Sequence, residues 1–168
     1  MNVNDDSSRR QFLATTGKAA LVGAVIATPV TATEPKKTSE TTAHAERHAI
    51  PGSPSPAYSR AMQLGQLVFI AGCVGRYQKG GEAAMDKDFE SQATQTMLNL
   101  KASVEASGSS MSKVLKCTCF LKEQNDFAKF NEVYMKFFPE PRPARSTVVV
   151  KDFVVPGAML EVDCECYL

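Results

Sequence analysis

The chain has 168 residues, with 19 Lys and Arg against 18 Asp and Glu, a formal net charge of +1. That is room for one domain plus an appendage, and so balanced a charge argues against a basic protein that grips nucleic-acid phosphates and against an acidic solvating tail. Nine Phe and four Tyr supply core bulk without Trp, and no apolar run reaches the roughly 18 residues that would span a bilayer.

Residues 1–32 read as an export address. Ser8-Arg9-Arg10-Gln11-Phe12-Leu13 is a twin-arginine pattern, and an apolar stretch follows over residues 19–27. Small residues then offer a cleavage site, best at Val30-Thr31-Ala32 and next at Val25-Ile26-Ala27. Charged region, modest apolar region and small-residue site come in the order of a signal read by the twin-arginine translocase. The sequence therefore predicts an exported, periplasmic protein; the alternative is a short amphipathic helix that happens to contain Arg-Arg. Cleavage after residue 32 leaves 16 basic and 16 acidic residues. Residues 33–50 are rich in Thr, Glu, Lys and Ala without apolar period, and read as a disordered linker. His44 and His48 stand there at i, i+4. No Cys or carboxylate pattern accompanies them, so they read as solvated and no metal site is expected.

The folded domain is placed at 51–168. Residues 66–74 are a mostly apolar run of strand length, and 58–64 can pair with them through Gly65. Residues 79–82 read as a loop. Over 88–107, Phe89, Ala93, Met97, Leu100 and Val104 form one helical stripe, with Gly108 as its stop. Residues 114–121 read as a strand. Asp126 can cap a second helix running to Phe138, ended by Pro139, Pro141 and Pro143. Residues 146–150 are a β-branched strand, Pro156-Gly157 turns the chain, and 159–167 closes it as a strand. Two helices on one face of a mixed sheet make an α+β layer. No third helix is available for the other face, which predicts a partner subunit there.

The inventory of this domain excludes several chemistries. Without His it cannot build a Ser-His-Asp or Cys-His arrangement. It has neither a P-loop nor a G-x-G-x-x-G turn, against a nucleotide or hydride-transfer enzyme. Cys117/Cys119 and Cys164/Cys166 are i, i+2 pairs, each facing one way on a strand. With Cys73, they read first as small buried hydrophobes on the helix-covered face. A cross-strand disulfide in an oxidising compartment and a metal cluster are the alternatives. Arg145 opens an apolar strand, and Glu161 follows the Pro156-Gly157 turn. The two could pair as a structural bridge; the functional alternative is an anion clamp beside a water-activating acid.

From about Tyr58 to Leu168 the chain resembles the RidA/YjgF family of reactive-intermediate (imine/enamine) deaminases. The blocks that carry the resemblance are Leu67-Val68-Phe69-Ile70-Ala71-Gly72, residues 92–104 with Gly108, and Val114-Leu115-Lys116-Cys117-Thr118-Cys119-Phe120-Leu121. Asp126-Phe127-Ala128 with Asn131, Tyr134, Phe137 and Phe138 follows. Pro143-Ala144-Arg145-Ser146 and Pro156-Gly157-Ala158 with Glu161 are the most specific. The resemblance implies a chorismate-mutase-like α+β fold and a homotrimer with three clefts between neighbouring subunits. It implies hydrolysis of small 2-imino or enamino acids to 2-keto acids and ammonia, without cofactor or metal. Arg145 would hold the substrate carboxylate and Glu161 would orient or deprotonate water. Backbone groups at Gly72 and Thr147 would contact substrate, Tyr58 would wall the pocket, and Asn131 would support it.

The chain departs from the family pattern at Ala71 and Cys73, where a hydroxyl residue and Gln are usual beside the glycine, and at Thr147, where Cys is frequent. Pocket polarity is therefore expected to differ. Two other readings compete: a ligand-binding or chaperone-like trimer without turnover, and an RNA-cleaving activity, which neutral charge and the absence of His disfavour.

Overall fold

Leu160, Val162, Cys164 and Cys166 alternate with Glu161, Asp163, Glu165 and Tyr167, and this period of two gives a strand one buried and one open face. In a computed structural model, described over residues 46–50 and 56–168, that strand lies inside a six-stranded sheet. In chain order the elements are β1 (Arg47–Ala49), β2 (Ala61–Leu64), β3 (Leu67–Val74), β4 (Arg76–Lys79), β5 (Glu82–Met85), α1 (Phe89–Ala106), β6 (Val114–Leu121), α2 (Phe127–Met135), β7 (Ala144–Val149) and β8 (Leu160–Tyr167). The sheet order is β1-β2-β3-β8-β6-β7, and β4 and β5 form a separate hairpin. Among the described strands only β6 and β7 run parallel, and α2 makes the crossover that a parallel pair needs.

Both helices pack on one face of the sheet. Ala93, Met97, Leu100 and Val104 of α1 and Phe130 of α2 are fully buried against Val68, Cys117, Cys119, Leu160, Val162 and Cys166. Asp88 caps α1 by accepting the Ser91 amide at 2.9 Å, an interaction worth about 1 kcal/mol. At the other end the Gly108 amide donates to the Glu105 carbonyl and the Ser109 amide to that of Val104. Gly108 has φ 87°, so the helix closes in a Schellman turn, at the expected stop. The opposite sheet face carries Phe69, Val148 and Tyr167, each more than a third exposed, beside Glu161, Asp163 and Glu165.

Several local readings change. The chain enters the sheet at Arg47, inside the stretch read as linker, and His48 Nε2 lies 3.1 Å from Gln63 Oε1. Residues 79–82 are not a bare loop: Gly80 and Gly81, at φ 62° and 87°, are the two-residue turn of the β4–β5 hairpin. Helix α2 stops at Met135 rather than Phe138, its end tightened by amide bonds from Lys136 to Val133 and from Phe137 to Tyr134. Asp126 occupies its cap position, but its side chain makes no capping bond. The expected signal at 1–32, linker residues 33–45 with His44, and residues 51–55 lie outside the described residues. Among the described residues no helix is long and apolar enough to cross a membrane, and no cluster of His, Cys, Asp and Glu is arranged to hold a metal.

Candidate active site

Edge strand β7 starts directly after Pro143, and its register against β6 sets Arg145 opposite Cys117 and Thr147 opposite Cys119. Both therefore face the helix side. The Arg145 guanidinium lies 4.6 Å from the centre of the Tyr134 ring, 5.4 Å from that of Phe130 and 5.6 Å from that of Phe127. Its Nη2 donates to Asn131 Oδ1 at 2.6 Å. Helix α2 thus supplies π faces and one amide oxygen, a rack that fixes the cation without neutralising it. Among the described residues the Thr147 hydroxyl oxygen beside it is buried without an oxygen or nitrogen partner, the Cys119 thiol being its neighbour across the register. A cavity of about 540 Å³ opens here, lined by Arg145, Thr147, Phe127, Gln124, Leu121 and Val148. A fixed guanidinium and a buried hydroxyl are suited to an anion.

A second cavity, of about 630 Å³, contains Tyr58, Gly72 and Glu161 together with Arg60, Cys73 and Tyr77. Gly72 sits where the β3–β8 register shifts between Ile70 and Cys73. A Cβ at Gly72 would run into the Glu161 carboxylate, so glycine is what lets that side chain lie across β3. Burial raises the Glu161 carboxyl above its ordinary value, and the Asp163 charge adds to the shift. Such a carboxylate is primed to take a proton. Burial likewise pushes the Cys73 thiol up, against a hydrogen bond with Ser103.

The six expected residues therefore form two groups in one chain: Arg145, Thr147 and Asn131 in one, Tyr58, Gly72 and Glu161 in the other. Arg145 pairs in register with Cys117, whereas Glu161 pairs with Phe120 and points to the opposite sheet face. Three residues along the sheet and two strands across put their Cα atoms roughly 14 Å apart. The structural bridge that sequence allowed does not form, for among the described residues Arg145 has no carboxylate partner. All five cysteines are free and buried, which sets aside the disulfide alternative.

Reading the sequence missed Gln92, Arg60, Arg76 and Tyr77. Gln92 is fully buried; its amide nitrogen donates to the carbonyls of Asp86 and Gly157, and its oxygen accepts from the Met159 amide. It ties α1 to the start of β8, two residues before Glu161. A polar residue amid the helical stripe was the available signal. Arg76 and Tyr77 lie on β4, where no element was expected between the strand ending at Val74 and the loop at 79–82.

The family model described as endoribonuclease L-PSP matches residues 48–167. The chain is 40% identical to a RutC family protein of Pyrococcus horikoshii over 114 residues, covering 68% of this chain and 89% of that one. It is also 40% identical to a 2-iminobutanoate/2-iminopropanoate deaminase of Dermatophagoides farinae over 115 residues, 67% of this chain and 88% of the other. The solved structure of RidA from an Antarctic Psychrobacter superimposes with a TM-score of 0.62 at 33% identity, covering 71% of this chain and 94% of that one. Yeast Mmf1 gives 0.65 at 26% identity, covering 73% and 98%. Matched over nearly the whole of its sheet and both helices, the chain belongs to the RidA/YjgF family, whose model carries the description endoribonuclease L-PSP.

Proposed function

We propose that the protein hydrolyses small 2-imino or enamino acids to 2-keto acids and ammonia, at sites assembled between neighbouring subunits of a homotrimer. The observation that carries this reading is the Arg145 guanidinium, held by Asn131 and three aromatic rings and lacking a carboxylate partner among the described residues. The Dermatophagoides relative, named an imine deaminase, supports the reaction class. Arg145 and Thr147 bind the substrate carboxylate from one subunit. Glu161, with Tyr58 and the backbone at Gly72, meets the reacting carbon from the next, across the open sheet face.

An imine carbon is already electrophilic, so orientation and one placed water suffice. Glu161 takes a proton from water as the water oxygen bonds to C2 of the protonated imine, and then returns that proton to the amino nitrogen. The resulting tetrahedral carbinolamine loses ammonia as the C–N bond breaks and the C2 carbonyl forms. No metal or cofactor takes part. Residues 1–32 direct export through the twin-arginine translocase to the periplasm; Arg9→Lys with Arg10→Lys should retain the protein in the cytoplasm, and unchanged export would reject this location.

The test is a coupled assay with freshly generated 2-iminobutanoate and 2-iminopropanoate, on the chain lacking residues 1–32. Arg145→Ala should lower kcat/KM by roughly 30- to several-thousand-fold, the cost of a lost charge-assisted contact. Arg145→Lys should recover little, because an ammonium lacks the planar fork. Glu161→Gln should lower kcat more than it alters KM. Full activity in folded Arg145→Ala would overturn the reading.

A further inference from the structure

The cavity around Glu161 is more basic than a small imino acid requires. Arg60, just before β2, and Arg76, the first residue of β4, both line it. Their backbones are fixed: the Arg60 carbonyl accepts the Ala71 amide at 2.9 Å, and the Arg76 carbonyl accepts Asn99 Nδ2 at 2.8 Å. Their side chains are exposed, and among the described residues neither guanidinium has an ion-pair partner. The ionised lining is then two guanidiniums against one carboxylate, Glu161, whose charge burial already disfavours. Two tyrosines stand among the lining residues. Tyr58 lines one part, and Tyr77 is held in place by donating its hydroxyl to Asp86 Oδ1 at 2.9 Å. The volume, about 630 Å³, falls in the range that accepts ligands larger than a four-carbon acid.

Resting on the imine-hydrolase reading above, we propose that the preferred substrates are 2-imino acids with a second carboxylate on the side chain, whose distal carboxylate is bound by Arg60 and Arg76. A monocarboxylate held by Arg145 leaves both guanidiniums unmatched in the cavity. A dicarboxylate satisfies each cluster with one end, through charge-assisted bonds to oxygens that water would otherwise solvate. The reaction that supplies such a substrate is a two-electron oxidation of an acidic amino acid across its Cα–N bond, or loss of water from an acidic amino acid that carries a β-hydroxyl.

The experiment compares 2-iminosuccinate and 2-iminoglutarate with 2-iminobutanoate, each generated in the cuvette from the amino acid, on wild type and on Arg60→Gln with Arg76→Gln. Wild type should favour the dicarboxylates in kcat/KM, and the double variant should lower the dicarboxylate-to-monocarboxylate ratio by about tenfold or more. Arg76→Glu should lower it further by adding repulsion. A parallel arm measures binding of 2-oxoglutarate and 2-oxobutanoate by calorimetry. Turnover of 2-iminobutanoate with a ratio near one in wild type overturns the dicarboxylate inference and leaves the hydrolase reading intact. So does a ratio unchanged in the double variant, including the case where that variant loosens the assembly. No turnover of any imine rejects the hydrolase reading; the calorimetry then decides the inference, equal affinities counting against it and a 2-oxoglutarate preference abolished by Arg60→Gln with Arg76→Gln counting for it.

Discussion

The thiols and Arg145 share one face of the sheet and are held there differently. The cysteines lie among apolar side chains that penalise a thiolate, so burial pushes Cys117 from 9.0 to about 11 and Cys119 to about 12. Cys164 is raised too, first by its hydrogen bond with Cys166 and then by burial, whereas that same bond lowers Cys166. Arg145, on the same face of the sheet, is held by three ring faces and by Asn131. Most of the thiols, namely Cys73, Cys117, Cys119 and Cys164, should therefore react slowly with a disulfide reagent at pH 8 in the native state, and all five should titrate after denaturation without reductant. A denatured, unreduced sample with one titratable thiol would mean two disulfides and reverse this reading. The linkage to stability has a definite sign. Unfolded thiols ionise near 9.0, and folded Cys117 and Cys119 hold their protons to about 11 and 12. Their contribution is complete below pH 9 and is lost as pH rises through that window, because the unfolded chain releases protons first. Denaturant midpoints measured from pH 8 to 11 should fall, and Cys117→Ala with Cys119→Ala should flatten the decline.

At the scale of elements, Gln92 shows how one polar side chain can organise several. Replacing it with Ala removes the acceptor for the Met159 amide and the donors for the Asp86 and Gly157 carbonyls. A buried group left unsatisfied costs about 1–3 kcal/mol, so a loss of roughly 3–5 kcal/mol is expected in chemical denaturation. The same variant should lower kcat, since the loosened segment leads directly into the strand that carries Glu161. A loss below 1 kcal/mol would show that water replaces the amide. The stripe of α1 and the alternation of β8 were legible in the sequence because periodic burial leaves a periodic pattern. The β4–β5 hairpin was not, because Arg76, Tyr77, Gln78 and Lys79 bury no continuous face and the residues packing on them come from elsewhere. The early end of α2 was equally hidden: the aromatic run continues to Phe138 whether or not the backbone stays helical, and Phe138 is buried beyond the helix end.

At the scale of the whole molecule, one chain carries Arg145 and Glu161 on opposite faces of one sheet. The motif residues were legible because Arg145 and Glu161 each begin or follow a distinctive Pro-containing turn. Their separation was not, since it depends on the order β8-β6-β7 and on the parity of each residue in its strand. Neither feature is local in sequence. If each site takes Arg145 from one subunit and Glu161 from the next, two crippled chains should repair one another. Arg145→Ala and Glu161→Gln homotrimers should each be nearly inactive. Denaturing them together in equal amounts and refolding assembles mixed trimers, in which about a quarter of the sites receive an intact Arg145 from one neighbour and an intact Glu161 from the other, by random assortment around a closed ring. Imine hydrolysis should then recover to about a quarter of wild type per site, with sedimentation at the trimer mass. A site built within a single chain would recover nothing beyond the two parents, and a monomer that keeps its fold and its activity would exclude the shared site outright.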